Sequence, residues 1–182
     1  MKFRSQVSLA LFCCVVFAAS FSRAQEDAQA EKTPPPPCTD PEYSQFDFWL
    51  GNWRVTDEDG KFQGTNRVER VLGKCAIEEN WVGAEGSKGH SFNMYDKRRG
   101  VWHQTWIGDH GLLLLLDGGL DENGNMVLKG QLPARDGKGM VDHEITWEKL
   151  DDGRVRQTWR ASRDDGETWQ KLFVGYYERQ DE

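Results

Sequence analysis

Apolar and polar side chains alternate along most of the chain beyond residue 50, in short segments separated by turns rich in Gly and Asp. A period of two is typical of a strand with one dry and one wet face. The turns predict ten strands, at 52–57, 61–72, 75–82, 88–96, 101–107, 112–119, 125–132, 140–149, 154–162 and 168–178. Because no segment between them is long enough for a helical crossover, the pattern favours an all-β, antiparallel up-and-down barrel.

Parity within each strand predicts which side chains face the barrel interior. On the ninth strand one face carries Arg154, Arg156 and Arg160, so this face must meet water. The same rule predicts the following interior side chains: Ile77, Glu79 and Trp81 on the third strand; Trp102, Gln104 and Trp106 on the fifth; Val141, His143, Ile145 and Trp147 on the eighth; and Val155, Gln157, Trp159 and Ala161 on the ninth.

An interior of this composition predicts a small-molecule site. An eight-stranded barrel already has room for one small ligand, and ten strands give a wider interior. Aromatic rings supply contact area in such sites, while a few polar groups fix the orientation of the ligand. We therefore expect a small, largely apolar molecule to be bound by Trp81, Trp106, Trp147 and Trp159 and oriented by Glu79, Gln104, His143 and Gln157.

Other roles for these polar side chains stay open. Buried Gln and His can simply hydrogen-bond each other across neighbouring strands. Glu79 and His143 are alternatively the acid and base of an enzyme, since an unpaired interior carboxylate shifts its pKa or finds a partner. His143 could also hold a haem, whereas the spacing of the four histidines predicts no metal site and no other cofactor.

A third class of function is a ligand-free interaction module. Such a protein would carry an apolar patch on its outer wall instead of a cavity. The five leucines at 112–116 are the place to look, because alternate side chains of a strand must face outward.

The first 24 residues have the composition of a secretory signal peptide. Lys2 and Arg4 provide a basic start, residues 7–21 form an apolar core, and Ser22 and Ala24 flank a predicted cleavage site. The core is shorter than the roughly 20 residues with which a helix crosses a bilayer. We therefore expect a secreted or periplasmic protein that is not inserted in a membrane after cleavage.

A polar segment at 25–45, with four consecutive prolines at 34–37, follows the predicted signal peptide. It cannot bury enough apolar surface to offset its ordering entropy, which predicts a disordered leader. The remaining residues, 46–182, have the length of one barrel domain.

The charge of the chain argues against a nucleic-acid partner. Removing the signal peptide takes Lys2, Arg4 and Arg23 from the 23 basic residues, which leaves 20 against 30 acidic residues and a net charge of −10. No basic cluster is present in the sequence, and binding to a phosphate backbone requires one.

Cys38 and Cys75 are the two cysteines outside the predicted signal peptide. Two cysteines in an exported chain favour one disulfide, because the compartments outside the inner membrane are oxidising. The alternative is two free buried thiols. A bond would tie the leader to the start of the third predicted strand.

An aromatic segment at 46–50 precedes the first predicted strand, and it predicts a short helical plug at one end of the barrel. The pattern Gly51-x-Trp53-x-Val55 then resembles the first strand of calycins, the lipocalin-like barrels, in which the tryptophan closes the floor. An arginine late in the chain often stacks on that tryptophan in calycins. The resemblance implies this structural role for Arg179.

The hairpin at 162–169 fits the Asp-box pattern Ser-x-Asp-x-Gly-x-Thr-Trp, which resembles hairpins that recur in sialidase propellers. In such a turn Asp164 would accept backbone N–H groups, Gly166 would be left-handed and Trp169 would pack beneath the hairpin. A single copy in a chain too short for a propeller predicts a structural role and argues against a glycosidase.

Together, residues from about 46 to 179 resemble the DUF1579-type family of exported lipocalin-like barrels. The resemblance depends on the segments 46–53, 73–81, 95–96, 102–106 and 153–157 and on the Asp box. It implies a calycin-like barrel, and it brings no established catalytic residues to this chain.

Overall fold

Ten antiparallel strands form one closed barrel in the computed structural model, which describes residues 37–181. The strands are β1 (Gly51–Thr56), β2 (Phe62–Val71), β3 (Ala76–Gly83), β4 (Lys88–Asp96), β5 (Val101–Gly108), β6 (Leu113–Leu120), β7 (Met126–Pro133), β8 (Met140–Lys149), β9 (Val155–Ser162) and β10 (Gln170–Arg179). Each strand pairs with its sequence neighbours, and β1 pairs with β10 to close the barrel. The predicted all-β, up-and-down barrel is confirmed, with every strand boundary within two residues of its predicted position. The predicted signal peptide lies outside the described residues.

An aromatic plug closes one end of the barrel. Two short 3-10 helices, Pro41–Ser44 and Asp47–Trp49, precede β1. The rings of Phe46 and Trp49 stack with centroids 4.8 Å apart, and both side chains are fully buried. Trp147 lies edge-on to Phe46, with the two ring centroids 5.2 Å apart. Aromatic side chains bury 150–250 Å² each, so this cluster provides much of the apolar core.

The plug end is also where the first and last strands meet. The guanidinium carbon of Arg179 lies 4.4 Å from the centre of the Trp53 ring, and the indole N–H of Trp53 donates to the backbone oxygen of Trp49. Gly51 leaves room for this stack, since a Cβ there would lie 2.2 Å from Nη1 of Arg179. The φ of Gly51 is also +140°, a conformation that side-chain-bearing residues rarely adopt.

Residues just before the plug contact the barrel, although they belong to the segment predicted as a leader. Cys38 and Cys75 form the predicted disulfide, with their Cα atoms 5.1 Å apart. Arg70 donates to the backbone oxygen of Tyr43 and is ion-paired with Asp47. The covalent bond and the contacts of the partly buried Arg70 guanidinium together hold this segment against β2 and β3. Between residues 37 and 181, no helix is long and apolar enough to cross a membrane.

Ion pairs between neighbouring strands cover part of the outer wall. Arg156 bonds Glu148 through two nitrogens, and Nη2 of Arg160 lies 2.6 Å from Glu144. Glu144 is only 4% exposed, although it alternates with His143 and Ile145, which were predicted to face inward. It does lie on the outer face, but the side chains of Arg160 and Lys129 cover it.

The turn between β9 and β10 has its own hydrogen-bond network. Asp164 accepts from the backbone N–H of Thr168 at 2.9 Å and from the hydroxyl of Ser162 at 2.7 Å. The hydroxyl of Thr168 also donates to Asp164, and this bond, followed by the two just described, lowers the pKa of Asp164 to about 2. The indole N–H of Trp169 donates to the backbone oxygen of Gly166, which has a φ of +87°. The donors and acceptors of these four hydrogen bonds all lie within the hairpin, so the Asp box stabilises the turn itself.

Candidate functional site

A cavity of about 240 Å³ lies inside the barrel, in the half away from the plug. β1 starts at the plug, so odd-numbered strands run away from it, and Trp81, Trp106 and Trp159 lie within three residues of the far ends of β3, β5 and β9. The cavity is lined by Glu79, Trp81, Gln104, Trp106, Leu114, Ile145, Gln157, Trp159, Leu172, Phe173 and Tyr177. Most of this surface is apolar, and the polar groups come from positions deeper in the strands.

Glu79 is the one carboxyl group that lines the cavity within the described part of the chain. It is 4% exposed, and its two oxygens accept hydrogen bonds from Nδ2 of Asn66 at 2.7 Å and from Oγ of Ser91 at 2.6 Å. Burial raises the pKa of Glu79 to about 7, because the two hydrogen bonds offset the desolvation only in part. A buried carboxyl group with this pKa changes its charge near neutral pH.

A line of hydrogen bonds across three strands ends at Glu79. Nε2 of Gln104 donates to Oδ1 of Asn93 at 2.7 Å, and Nδ2 of Asn93 donates to Oγ of Ser91 at 2.9 Å. Because Ser91 accepts from Asn93, its own proton is directed to Glu79. The network therefore presents donors to the carboxyl group, which is the arrangement that favours its ionised form.

Tyr177, on β10, lines the same cavity as Glu79. It is fully buried, and its hydroxyl donates to Oε1 of Gln157. Burial, with a smaller effect of the nearby charge of Glu79, holds the pKa of Tyr177 well above its ordinary value. Tyr177 is therefore neutral across the physiological range and acts as a hydrogen-bond donor.

Two tryptophan rings of the cavity wall lie directly over glycines of neighbouring strands. A Cβ at Gly89 would lie 2.2 Å from Cζ2 of Trp106, and one at Gly64 would lie 2.7 Å from Cζ2 of Trp81. A side chain at Gly89 would clash first with the ring of Trp106, and one at Gly64 would clash with both the backbone oxygen of Val82 and the ring of Trp81. The two glycines thus let the rings sit back against the wall, which leaves the space between them open.

Six of the eight side chains predicted to contact a ligand line this cavity: Glu79, Trp81, Gln104, Trp106, Gln157 and Trp159. Trp147 faces inward as parity predicts, but it lies at the plugged end and is fully buried against Phe46 and Trp49. The reason is depth, because parity defines the face of a strand and not the position along the barrel.

His143 faces a second cavity of about 440 Å³, beneath the β7–β8 and β9–β10 loops. Its Nδ1 accepts the indole N–H of Trp159 at 3.0 Å, and burial lowers the pKa of His143. Trp159 and Leu172 line both cavities and separate His143 from Glu79. The structure therefore does not bring together the acid–base pair of the enzyme alternative. Because Nδ1 of His143 accepts this hydrogen bond, a haem iron held by His143 would be bound through Nε2.

Sequence reasoning did not identify the partners of Glu79 on β4. The inward side chains of β4 are the polar residues Ser91 and Asn93, which are 1% and 0% exposed, whereas Phe92 and Met94 point outward and are about half exposed. This strand inverts the usual rule that apolar residues face inward. The signal that could have identified Ser91 and Asn93 is the pairing of β4 with β3, which places Ser91 opposite Glu79.

An apolar patch also occupies the outer wall across β4, β5 and β6. It comprises Phe92, Met94, Ile107, Leu113 and Leu115, each between 44% and 57% exposed. The strand pairing places Ile107 directly opposite Leu113. The predicted outward leucines are therefore present beside an interior cavity and not in place of one.

No family model and no curated protein matches this chain. Within residues 37–181, no group of three or more His, Cys, Asp or Glu side chains is arranged to hold a metal ion.

Proposed function

We propose that this protein is an exported barrel of the DUF1579 type that binds a small, largely apolar ligand in its interior cavity. The observation that carries the proposal is the 240 Å³ cavity, in which aromatic walls surround a single buried carboxyl group. The Cys38–Cys75 bond is compatible with an oxidising compartment such as the periplasm or the extracellular space.

The size of the cavity limits the size of the ligand. A cavity of about 150 Å³ holds one benzene molecule, so 240 Å³ accommodates one ring with a short side chain. Drug-sized ligands occupy pockets of about 300 Å³ or more. A ligand that occupies this cavity alone is therefore a fragment-sized molecule.

Ligand binding explains the interior better than the interaction-module alternative does. The outer patch would serve a partner protein, but contact at the outer wall gives no reason for an interior cavity lined by three tryptophans, one phenylalanine and a buried carboxyl group. A barrel of this width filled with side chains would be more stable than one with a cavity, because the atoms around a cavity lose packing contacts.

A pair of neighbouring substitutions tests the proposal. Leu114 lines the cavity and is 1% exposed, whereas Leu115 lies on the outer wall and is 50% exposed. Calorimetric titration with a panel of one-ring compounds should show binding to the wild type and to Leu115→Phe but not to Leu114→Phe, whose larger side chain fills the space. Circular dichroism checks that both variants fold. If no compound of the panel binds the wild type, or if Leu114→Phe binds as tightly as Leu115→Phe, the proposal is wrong.

A further inference from the structure

Among the described residues, the cavity lining has one side chain that can carry a negative charge and none that can carry a positive charge. The lining contains Glu79 and the neutral Tyr177, and no Lys, Arg or His belongs to it in the part of the chain that the structure describes. A carboxylate or phosphate ligand would thus enter a dry site beside a carboxyl group without any cation to pair with. Burying an unpaired charge costs several kcal/mol, so the site disfavours anions.

The hydrogen bonds to Glu79 suit a charged carboxylate, yet no Lys, Arg or His between residues 37 and 181 forms an ion pair with it. Both hydrogen bonds to it come from donors, Asn66 and Ser91, and the donor Asn93 directs the proton of Ser91 to it. Structural buried carboxylates are paired with Arg or Lys, and on the outer wall of this protein Glu144 has Arg160 and Lys129. The missing counter-charge at Glu79 is what a ligand can supply.

The carboxyl group also has unused capacity to accept hydrogen bonds. An ionised carboxylate offers about four lone-pair sites on its two oxygens. Asn66 and Ser91 use one on each oxygen, and Glu79 itself lines the cavity. A donor on the ligand can therefore bond to Glu79 without displacing a protein partner.

The aromatic walls suit the same kind of ligand. The faces of tryptophan rings attract organic cations, by about 0.5–2 kcal/mol per contact depending on desolvation. Trp81, Trp106 and Trp159 surround the space between Glu79 and the open end of the barrel. They can contact both the hydrocarbon part and the charged group of a small cationic molecule.

We propose that the ligand is a small organic amine, whose ammonium group binds the carboxylate of Glu79 and whose apolar part packs among Trp81, Trp106 and Trp159. This inference rests on the proposed ligand-binding function and names the chemical class of the ligand.

Proton release follows from such binding. Burial raises the pKa of Glu79 to about 7, so below neutral pH the empty site is mostly protonated. An ammonium group binds the ionised form, hence each binding event below pH 7 expels the proton of Glu79. The affinity should fall about tenfold for each pH unit below 7 and be nearly constant just above it.

Three probes with one skeleton test the inference: phenethylamine, phenethyl alcohol and phenylpropionate. Calorimetry in phosphate and in MES buffer, which both buffer just below pH 7 and whose ionisation enthalpies differ, measures the protons released. We expect the amine to bind most tightly to the wild type, with proton release that grows as the pH falls below 7. In Glu79→Gln the affinity for the amine should fall at least tenfold, while that for the alcohol should change little.

The outcomes separate this inference from the proposed function. If the alcohol binds as tightly as the amine, or the amine binds without proton release, the cavity binds ligands but Glu79 does not select a cation. Tightest binding of phenylpropionate overturns the inference in the same way. If none of the three compounds binds, both proposals fail. Proton release is measured on the wild type, so the test does not depend on the folding of Glu79→Gln.

Discussion

Replacing Glu79 by Gln should alter how the stability of the protein depends on pH. Gln keeps the shape of the side chain, and its amide can still hydrogen-bond Asn66 and Ser91, but it cannot ionise. Any difference in pH dependence between the two proteins therefore reports the titration of this one buried group.

The sign and size of the difference follow from the pKa. Burial raises the pKa of Glu79 from 4.5 to about 7, so between these values the folded protein holds a proton that the unfolded chain has released. The contribution of Glu79 to stability is fully present below pH 4.5 and is lost as the pH rises through about 7. The difference between the two pKa values, at about 1.4 kcal/mol per pH unit, gives a total loss of about 3 to 4 kcal/mol, of which about 2 to 3 kcal/mol falls between about pH 5 and about pH 8.

Urea unfolding followed by tryptophan fluorescence measures this loss. The free energy of unfolding is determined for both proteins at about pH 5 and about pH 8, and the change for Glu79→Gln is subtracted from that for the wild type. Carboxylates with lowered pKa values, such as Asp117 and Asp164, titrate in both proteins and cancel in the subtraction. Equal pH dependence in the two proteins would refute the reasoning, and so would a wild type that gains stability relative to the variant as the pH rises.

Three further changes have expected outcomes. Gly89→Ala should push the ring of Trp106 into the cavity and cost about 1–3 kcal/mol of stability; calorimetry should show lost ligand binding, and unchanged binding would contradict the assigned position of the ring. Replacing Cys38 and Cys75 together by Ser opens a loop of 37 residues and should lower the free energy of unfolding by about 4 kcal/mol, whereas reducing agent should have no effect on that variant. Arg179→Met keeps the apolar stem but removes the cation over the buried indole beneath it, and urea unfolding should show a loss of about 1 kcal/mol; an equally stable variant would argue against the stack.

The strands were predictable from sequence because their signals are local. Turn residues define the ends of each strand, and alternation defines its faces, so Trp81, Gln104 and Trp159 were placed inward without knowledge of the pairing. Alternation does not tell how far along the barrel axis each inward side chain lies. Trp147 was therefore grouped with the cavity although the plug covers it, and His143 was grouped with Glu79 although Trp159 stands between them.

The hydrogen-bond network that ends at Glu79 was missed for a different reason. Ser91 and Asn93 face inward on a strand whose large apolar residues face outward, so hydrophobicity alone assigns that strand the wrong way round. The register with β3 decides the matter, and register is a property of two strands together.

The hollow of this barrel is a property of its wall as much as of its lining. Gly64 and Gly89 contribute no atoms to the interior, yet they provide the recesses into which two indoles retract. A related barrel could keep every lining residue and still have a smaller interior, if each recess held a single methyl group. Whether such a protein can bind a ligand in its interior therefore depends on the residues behind the tryptophans as well as on the tryptophans themselves.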